Sequence, residues 1–303
     1  MKNRQHIVQP RTPEWHALRR TSIGSSEIAA LFGLSPYLTA FELYHAKRGS
    51  IGDNFEDTER MFWGRQLEDA IATGAGEQEH WTVINPKGFY QHATIDGMGA
   101  TPDKFIEDAA REGLGIMEVK NVAWPEFKEK WTDGEPPIHY LLQLQHQLAC
   151  TGLEWGAIVA LVGGNDLKVF RYERHEPTVQ RIESAVRKFW QDVQAEREPQ
   201  IDDAAAYAVV KELHPVHDSE IDLTGDNQLP TLCADALRHT AERLAAQKAE
   251  DAAKAEILRR VGSNARAKCN GFWIERKEIV AHLKAQEART QTSKRLTIKE
   301  MTQ

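Results

Sequence analysis

The stretch from Ala100 to Val122 limits most strongly what this chain can fold into. It holds Asp103 and, after an acidic turn, Glu118 and Lys120. Polar and apolar residues alternate around Glu118, which predicts a β-strand that projects Glu118 and Lys120 from one face. An aspartate from a neighbouring strand can then meet Glu118, and two carboxylates beside one ammonium suit a hard divalent cation with a water activated next to it. A strand with a surface Glu–Lys pair has the same spacing, so the motif alone does not decide between the two.

Composition places the chain among soluble globular proteins. Its 303 residues suffice for one large domain, or for one domain and an appendage, and 41% are hydrophobic. No apolar run reaches the length of a membrane span, and no apolar segment of a signal peptide follows the N-terminus. Cys150, Cys233 and Cys269 are widely separated, which argues against zinc and iron–sulfur sites and for a reducing compartment. We therefore expect a cytoplasmic protein.

The charges are unevenly distributed along the chain. The formal net charge is −7, yet the segment from Lys254 to the C-terminus has twelve Lys and Arg against five Asp and Glu. The first twenty residues are basic as well. Basic ends on an acidic body fit a rim that guides phosphates to a carboxylate-rich site, and they fit a solvated tail equally well.

The N-terminal part predicts three helices. Ser25 or Ser26 can cap a short apolar helix. The free N–H groups of that helix, the serine hydroxyls and nearby Arg19 would form an anion pocket suited to a phosphate, although capping alone would also explain the serines. A second helix starts with Pro36 and Thr39 and ends at Gly49, and a third, from 60 to 73, carries Glu68.

The middle of the chain predicts a sheet. Short strands are expected between 81 and 122, followed by a helix from 139 to 151 that places Gln143 and Gln147 four residues apart on one face. A strand pair at 155–172 and an amphipathic helix come next. This order predicts an α/β fold (α+β with a mixed sheet) that carries helices on both faces.

A change in composition predicts the domain organisation. Residues 1–198 would form the globular domain and 199–229 a linker. Residues 230–303 would form a helical, basic C-terminal extension, with leucines at heptad spacing in a helix from 230 to 262.

The chain resembles the lambda exonuclease and YqaJ viral recombinase family within the PD-(D/E)XK nuclease superfamily. Five short blocks in the family's order carry the resemblance across roughly residues 10–195. They are Arg19 with Ile23–Ile28, Phe62–Glu68, Thr101–Asp103, Glu118–Lys120 and Tyr140–Gln145. The resemblance implies a restriction-endonuclease-like core and a metal-dependent nuclease.

The resemblance also implies a metal site. Asp103 and Glu118, with the carbonyl of Val119, would hold a first Mg²⁺, and Glu68 would help to position a second ion or its water. Lys120 would orient or deprotonate the attacking water. Mn²⁺ remains an alternative, since oxygen ligands suit both metals.

The remaining positions concern the DNA. Gln143 would hold the lysine near the scissile phosphate. Arg19 and Ser26 match positions that bind a 5′-terminal phosphate in this family, and Ser25 and Thr101 are expected to join them. The implied reaction is 5′→3′ digestion of one strand of linear duplex DNA for phage-type recombination. A ring-type homo-oligomer and a single-strand annealing recombinase are the implied partners.

Two departures and two alternatives stay open. The turn from 107 to 113 lengthens the gap between the two acids, and residues 199–303 match none of the family's blocks. The same core would serve an endonuclease or a repair nuclease, although the members with a four-cysteine cluster are disfavoured here. A non-catalytic DNA-end-binding or assembly protein would be expected to lose Asp103, Glu118 or Lys120, and all three are present.

Overall fold

The computed structural model describes residues 4–51, 58–131, 134–201, 206–214, 218 and 220–276. The chain divides into two compact units, Met1–His214 and Pro215–Gln303. The predicted boundary at residue 198 stays a prediction. The basic tail after residue 276 and most of the acidic loop before residue 58 lie outside the described residues.

The first unit contains both helices and strands. Its helices are α1 Pro13–Arg20, a 3-10 helix Ile28–Phe32, α2 Ala40–Arg48, α3 Glu59–Glu79, α4 Trp124–Lys130, α5 Ile138–Thr151, α6 Glu176–Gln194 and α7 Ala206–Leu213. Its strands are β1 Arg4–His6, β2 Thr82–Ile84, β3 Phe89–Gln91, β4 Gly99–Ala100, β5 Lys104–Glu107, β6 Leu114–Val122, β7 Trp155–Val162 and β8 Asp166–Glu173.

A five-stranded sheet in the order β2-β5-β6-β7-β8 forms the centre of the first unit. Strands β6 and β7 are parallel, because α4 and α5 return the chain between them, and the other pairs are antiparallel. Alternating side chains of β6 pack on opposite sides: Met117 joins Ile71 of α3, and Ile116 joins Leu144 of α5. The sheet is therefore mixed and covered by helices on both faces, which confirms the predicted fold class.

A smaller sheet brings the N-terminal part of the chain to the large one. Its strands are in the order β1-β3-β4. Ile23 donates its N–H to the carbonyl of Gly97 at 2.8 Å and accepts from the N–H of Gly99 at 3.1 Å. A buried cluster that includes Ile28, Leu43, Ala149 and Ile182 packs the 3-10 helix and α2 against α5 and α6. The loop that follows α1 is thereby fixed beside β4.

Local sequence signals set most helix ends. Thr39 caps α2 in a capping box with Glu42, and Gly49 ends the helix in the left-handed region at a φ of 69°. The predicted end of α3 at residue 73 is wrong, because the helix continues to Glu79. Its Gly76 packs so closely against β2 that a Cβ would lie 2.6 Å from Val83, so the glycine serves packing instead of ending the helix.

The second unit contains α8 Leu229–Val261 and a hairpin of β9 Arg266–Cys269 and β10 Phe272–Glu275. The long helix agrees with the predicted helix at 230–262 within one residue at either end. None of the helices among the described residues is long and apolar enough to cross a membrane.

Candidate active site

Asp103 lies beside Glu118 at the start of β5. In the antiparallel pair β5–β6, Lys104 lies opposite Met117, so the next position back, Asp103, comes beside Glu118. The carboxylate Oδ2 of Asp103 accepts a 2.8 Å hydrogen bond from the N–H of Val119. The hairpin thus brings together two acids that are distant in sequence, as the alternation around Glu118 had suggested.

Glu118 is buried, and three side chains donate hydrogen bonds to its carboxylate. The ammonium of Lys120 and the amide of Gln143 both donate to its Oε1, the amide at 2.6 Å. The amide of Gln147 donates to its Oε2 at 2.6 Å. Both glutamines belong to α5, which covers this face of the sheet. The crossover helix therefore fixes both carboxylate oxygens.

Lys120 is held by three neighbours. Besides its ion pair with Glu118, its Nζ donates to Oε1 of Gln143 at 3.2 Å. Its ammonium also lies 4.7 Å from the centre of the Tyr140 ring, within the range of a cation–π interaction. The lysine therefore has a defined position beside the paired acids.

The protonation of these groups follows from burial and charge. Burial raises the pKa of Asp103 well above its ordinary value, and the negative charge of Glu118 raises it further. Burial lowers the pKa of Lys120, but the charges of Glu118 and Asp103 more than offset this, so its pKa is raised. Two acids repel each other here, with the ammonium as a partial counter-charge. A site of this kind favours a cation.

The donor set fits one hard divalent ion. Asp103 and Glu118 supply carboxylate oxygens, which Mg²⁺ and Ca²⁺ prefer. A strand residue directs its N–H and C=O to the same side, so the Val119 carbonyl points to the edge where its N–H reaches Asp103. Among the described residues, no group of three or more His, Cys, Asp or Glu side chains is arranged to hold a metal.

Glu68 lies on α3, which packs on the opposite face of the sheet. Its Oε1 accepts from the ammonium of Lys104 at 2.8 Å, and Asp69 accepts from the same ammonium at 2.9 Å. The charge of Glu68 nevertheless contributes to raising the pKa of Asp103. Glu68 is therefore near the paired acids but bound to a lysine.

Arg19 and Thr101 are joined through an indole. The guanidinium of Arg19 lies 4.6 Å from the centre of the Trp15 ring. The indole N–H of Trp15 donates to the hydroxyl of Thr101 at 3.2 Å. Thr101 precedes Asp103 by two residues, so this side of the site is continuous with the paired acids.

The two serines do not cap the 3-10 helix as predicted. Glu27 occupies the position before the helix, and no side-chain capping bond forms there. The carboxylate of Glu27 instead accepts from the N–H of Gly24 at 2.7 Å and from the ammonium of Lys47. Ser25 is buried with its Oγ 3.5 Å from the amide nitrogen of Gln147, whereas Ser26 is exposed. Ser25 is thereby linked through Gln147 to Glu118.

The structure adds three residues to the predicted site. Gln147 shares a helix face with Gln143, a spacing that the sequence does show. Trp15 contacts Arg19 one helical turn away, but nothing in the sequence points to its bond with Thr101. Lys104 reads as an ordinary strand residue, and its ion pair with Glu68 depends on how α3 packs.

Known proteins are similar to this part of the chain. A model of the YqaJ-like viral recombinase domain matches residues 14–154. The protein YqaJ of Bacillus subtilis (strain 168) is 29% identical over 221 residues, which cover 71% of this chain and 68% of the relative. All the residues of the candidate site described in this subsection lie between residues 14 and 154.

Crystal structures of exonucleases are also similar. LHK-Exo in complex with dAMP is 25% identical, covers 61% of this chain and 94% of its own, and has a TM-score of 0.49. The alkaline exonuclease LHK-Exo from Laribacter hongkongensis is 24% identical, with coverage of 67% and 100% and the same TM-score of 0.49. A phage-related exonuclease from Haemophilus somnus 129PT is 13% identical, with coverage of 58% and 96% and a TM-score of 0.40.

Proposed function

We propose that the protein is a metal-dependent 5′→3′ exonuclease, on the premise that residues 14–154 match the YqaJ-like viral recombinase domain. It would digest one strand of linear double-stranded DNA for phage-type recombination in the cytoplasm of a bacterial host. The observation that carries the proposal is that Asp103 lies beside Glu118 at the start of β5, with Lys120 next to them.

The paired acids would hold the metal. Asp103, Glu118 and the carbonyl of Val119 form the proposed ligand set for Mg²⁺, with Mn²⁺ as the alternative. Such an ion would polarise a phosphoryl oxygen and lower the pKa of a bound water. Gln143 and Gln147 would keep Glu118 in place, because each donates to one of its two oxygens.

Lys120 would orient the attacking water and stabilise negative charge on the phosphate. The carboxylates around it favour its ammonium form, which has hydrogen-bond donors and no lone pair. Its contacts with Gln143 and the Tyr140 ring fix the ammonium in space. A fixed charge of this kind stabilises a transition state without rearranging during the reaction.

A second ion remains part of the proposal. Glu68 would serve it, which requires the carboxylate to leave Lys104. Because the side chain of Glu68 is 32% exposed, this exchange does not require the core to open.

The polarity of digestion would come from the 5′-phosphate. Arg19, Ser25, Ser26 and Thr101 are the proposed binding groups, and the bond from Trp15 to Thr101 supports placing Arg19 and Thr101 in one pocket. A guanidinium with hydroxyl donors suits a terminal phosphate. The remaining partners are those that the family suggests: a ring-type homo-oligomer and a single-strand annealing recombinase.

Digestion of defined DNA substrates tests the function. A linear duplex with a 5′-phosphate on one strand, incubated with Mg²⁺, should lose the phosphorylated strand. EDTA or Glu118→Ala should abolish this loss, and a closed circular duplex should stay intact. Glu129→Ala is the matched control, since Glu129 is exposed on α4.

The alternatives give different results in the same experiment. Nicking of the circle would assign the core to an endonuclease. Binding of DNA ends without cleavage of any substrate would assign it to an end-binding or assembly protein.

A further inference from the structure

Gln147 connects the two parts of the site. Its side chain is fully buried. The amide nitrogen donates to Oε2 of Glu118 at 2.6 Å and lies 3.5 Å from Oγ of Ser25. One NH₂ group therefore faces a proposed metal ligand with one hydrogen and a proposed phosphate-binding hydroxyl with the other.

The chemistry of the partners fixes the orientation of this amide. Glu118 also accepts from the ammonium of Lys120 and the amide of Gln143, so it acts as an acceptor here and the NH₂ group of Gln147 faces it. The amide oxygen then points away and, among the described residues, has no hydrogen-bond partner. A buried acceptor without a partner is costly, which indicates that the contacts of the NH₂ group maintain this orientation.

The same contact orients the hydroxyl of Ser25. A serine hydroxyl has one donor and two acceptor positions. When the amide of Gln147 approaches one acceptor position of Ser25, the hydroxyl proton is left to be donated elsewhere. An anion such as a terminal phosphate is the acceptor that this arrangement suits best.

We propose that Gln147 is a positioning residue that presents the hydroxyl of Ser25 to the 5′-phosphate and holds Glu118 at a fixed position relative to Ser25. The inference rests on the proposed function, in which Ser25 belongs to the phosphate pocket. Phosphate recognition and the metal ligand are thereby fixed by one side chain, so a terminal phosphate is bound at a set distance from the hydrolytic site.

Gln145 provides a matched control on the same helix. It is also buried, but its amide donates to the carbonyl of Glu173 at 2.8 Å and its oxygen accepts from the N–H of His175. Gln145→Met thus removes a buried amide of the same size that has no contact with Ser25 or Glu118.

The test measures binding without metal. Fluorescence anisotropy in EDTA gives the affinities of a duplex with a 5′-phosphate and of the same duplex with a 5′-hydroxyl. Wild type should prefer the phosphate, and Gln147→Met should reduce the ratio of the two affinities by about five- to tenfold, which lies in the usual range for one hydrogen bond. Gln145→Met should leave this ratio unchanged, and circular dichroism should show that each variant is folded.

A second pair of variants makes the result independent of how well Gln147→Met folds. Ser25→Ala should lower the preference by a similar factor, and Gln147→Asn, which shortens the side chain but keeps the amide, should do the same. In the Ser25→Ala background, either change at Gln147 should have no further effect on the ratio, because the two residues act together.

The outcomes separate the inference from the proposed function. If wild type prefers the phosphate and the Gln147 variants keep that ratio, the inference is wrong and the function stands. If wild type shows no preference, the proposed 5′-phosphate pocket and the inference fail together. An equal loss of affinity for both ends would also overturn the inference.

Discussion

Two lysine–glutamate pairs occupy opposite faces of the same hairpin and are built differently. Lys120 and Glu118 lie under α5, where the glutamate side chain is 2% exposed and receives two further amide bonds. Lys104 and Glu68 lie on the α3 side, where the glutamate side chain is 32% exposed. In the first pair, the neutral amides of Gln143 and Gln147 fix Glu118. In the second pair, the more exposed Glu68 can exchange Lys104 for another partner. The comparison suggests a permanent metal ligand on one face and an exchangeable one on the other.

Removing each lysine should give the largest difference between the two pairs. Lys120→Met should reduce kcat by about 10²–10⁴-fold, the usual contribution of a group that handles the proton or charge of the reacting water. Lys104→Met should change kcat by a few fold at most, because the carboxylates of its partners Glu68 and Asp69 are accessible to solvent. Steady-state digestion of phosphorylated duplex measures both variants. Equal losses of kcat would mean that the pairs do not differ in function.

Glu68→Gln should have an intermediate effect. If Glu68 serves a second ion or its water, the variant should require more Mg²⁺ and lose about 10–100-fold in activity, as when an outer metal ligand is removed. Titration of activity with Mg²⁺ measures the shift, and Asp69→Asn is the control, since Asp69 shares Lys104. A Mg²⁺ curve that matches that of wild type would limit Glu68 to its ion pair.

Asp103 lies between the two pairs and should give the smallest effect, on stability. Burial raises the pKa of Asp103 well above the ordinary value of an aspartate in the folded protein. The unfolded chain therefore releases this proton at lower pH than the folded protein does. The stabilising contribution is present below the ordinary pKa and is lost as pH rises through the higher folded pKa, by up to about 1.4 kcal/mol per pH unit.

Urea unfolding in EDTA at a series of pH values measures this loss. Asp103→Asn should flatten the decline in stability above the ordinary pKa of aspartate. Glu118→Gln should flatten it more than Glu68→Gln, since Glu118 raises the pKa of Asp103 more strongly than Glu68 does. Parallel curves for wild type and Asp103→Asn would contradict the assignment of the raised pKa.

Periodicity and capping predicted much of the fold because those signals are local. Alternation around Glu118 gave the strand β6, and Thr39 with Gly49 gave the ends of α2. The predicted end of α3 was wrong. Gly76 packs against Val83 of β2, and the sequence around Gly76 does not indicate this contact. The helix Ala206–Leu213 lies where a polar linker was predicted, since burial of Ala206 and Val209 against Phe41 depends on tertiary contact.

The site was predictable as a set of residues but not as a geometry. Glu118, Lys120 and Gln143 meet as expected, because a strand face and a helix face bring them there. The bond from Gly24 to Glu27 could not be anticipated, because the capping rules favour the serines that precede Glu27. The roles of the residues remain predictions.

The turn between β5 and β6 has a practical consequence. An antiparallel hairpin keeps its facing residues when its turn grows, so residues 108–113 can vary while Asp103 stays opposite Glu118. Ala109 and Ala110 in this turn are exposed. At about 3.4 Å per strand residue, a dye attached there would lie roughly 15–20 Å from Asp103. That is a useful range for reporting the arrival of a labelled DNA end without disturbing the acids that it reaches.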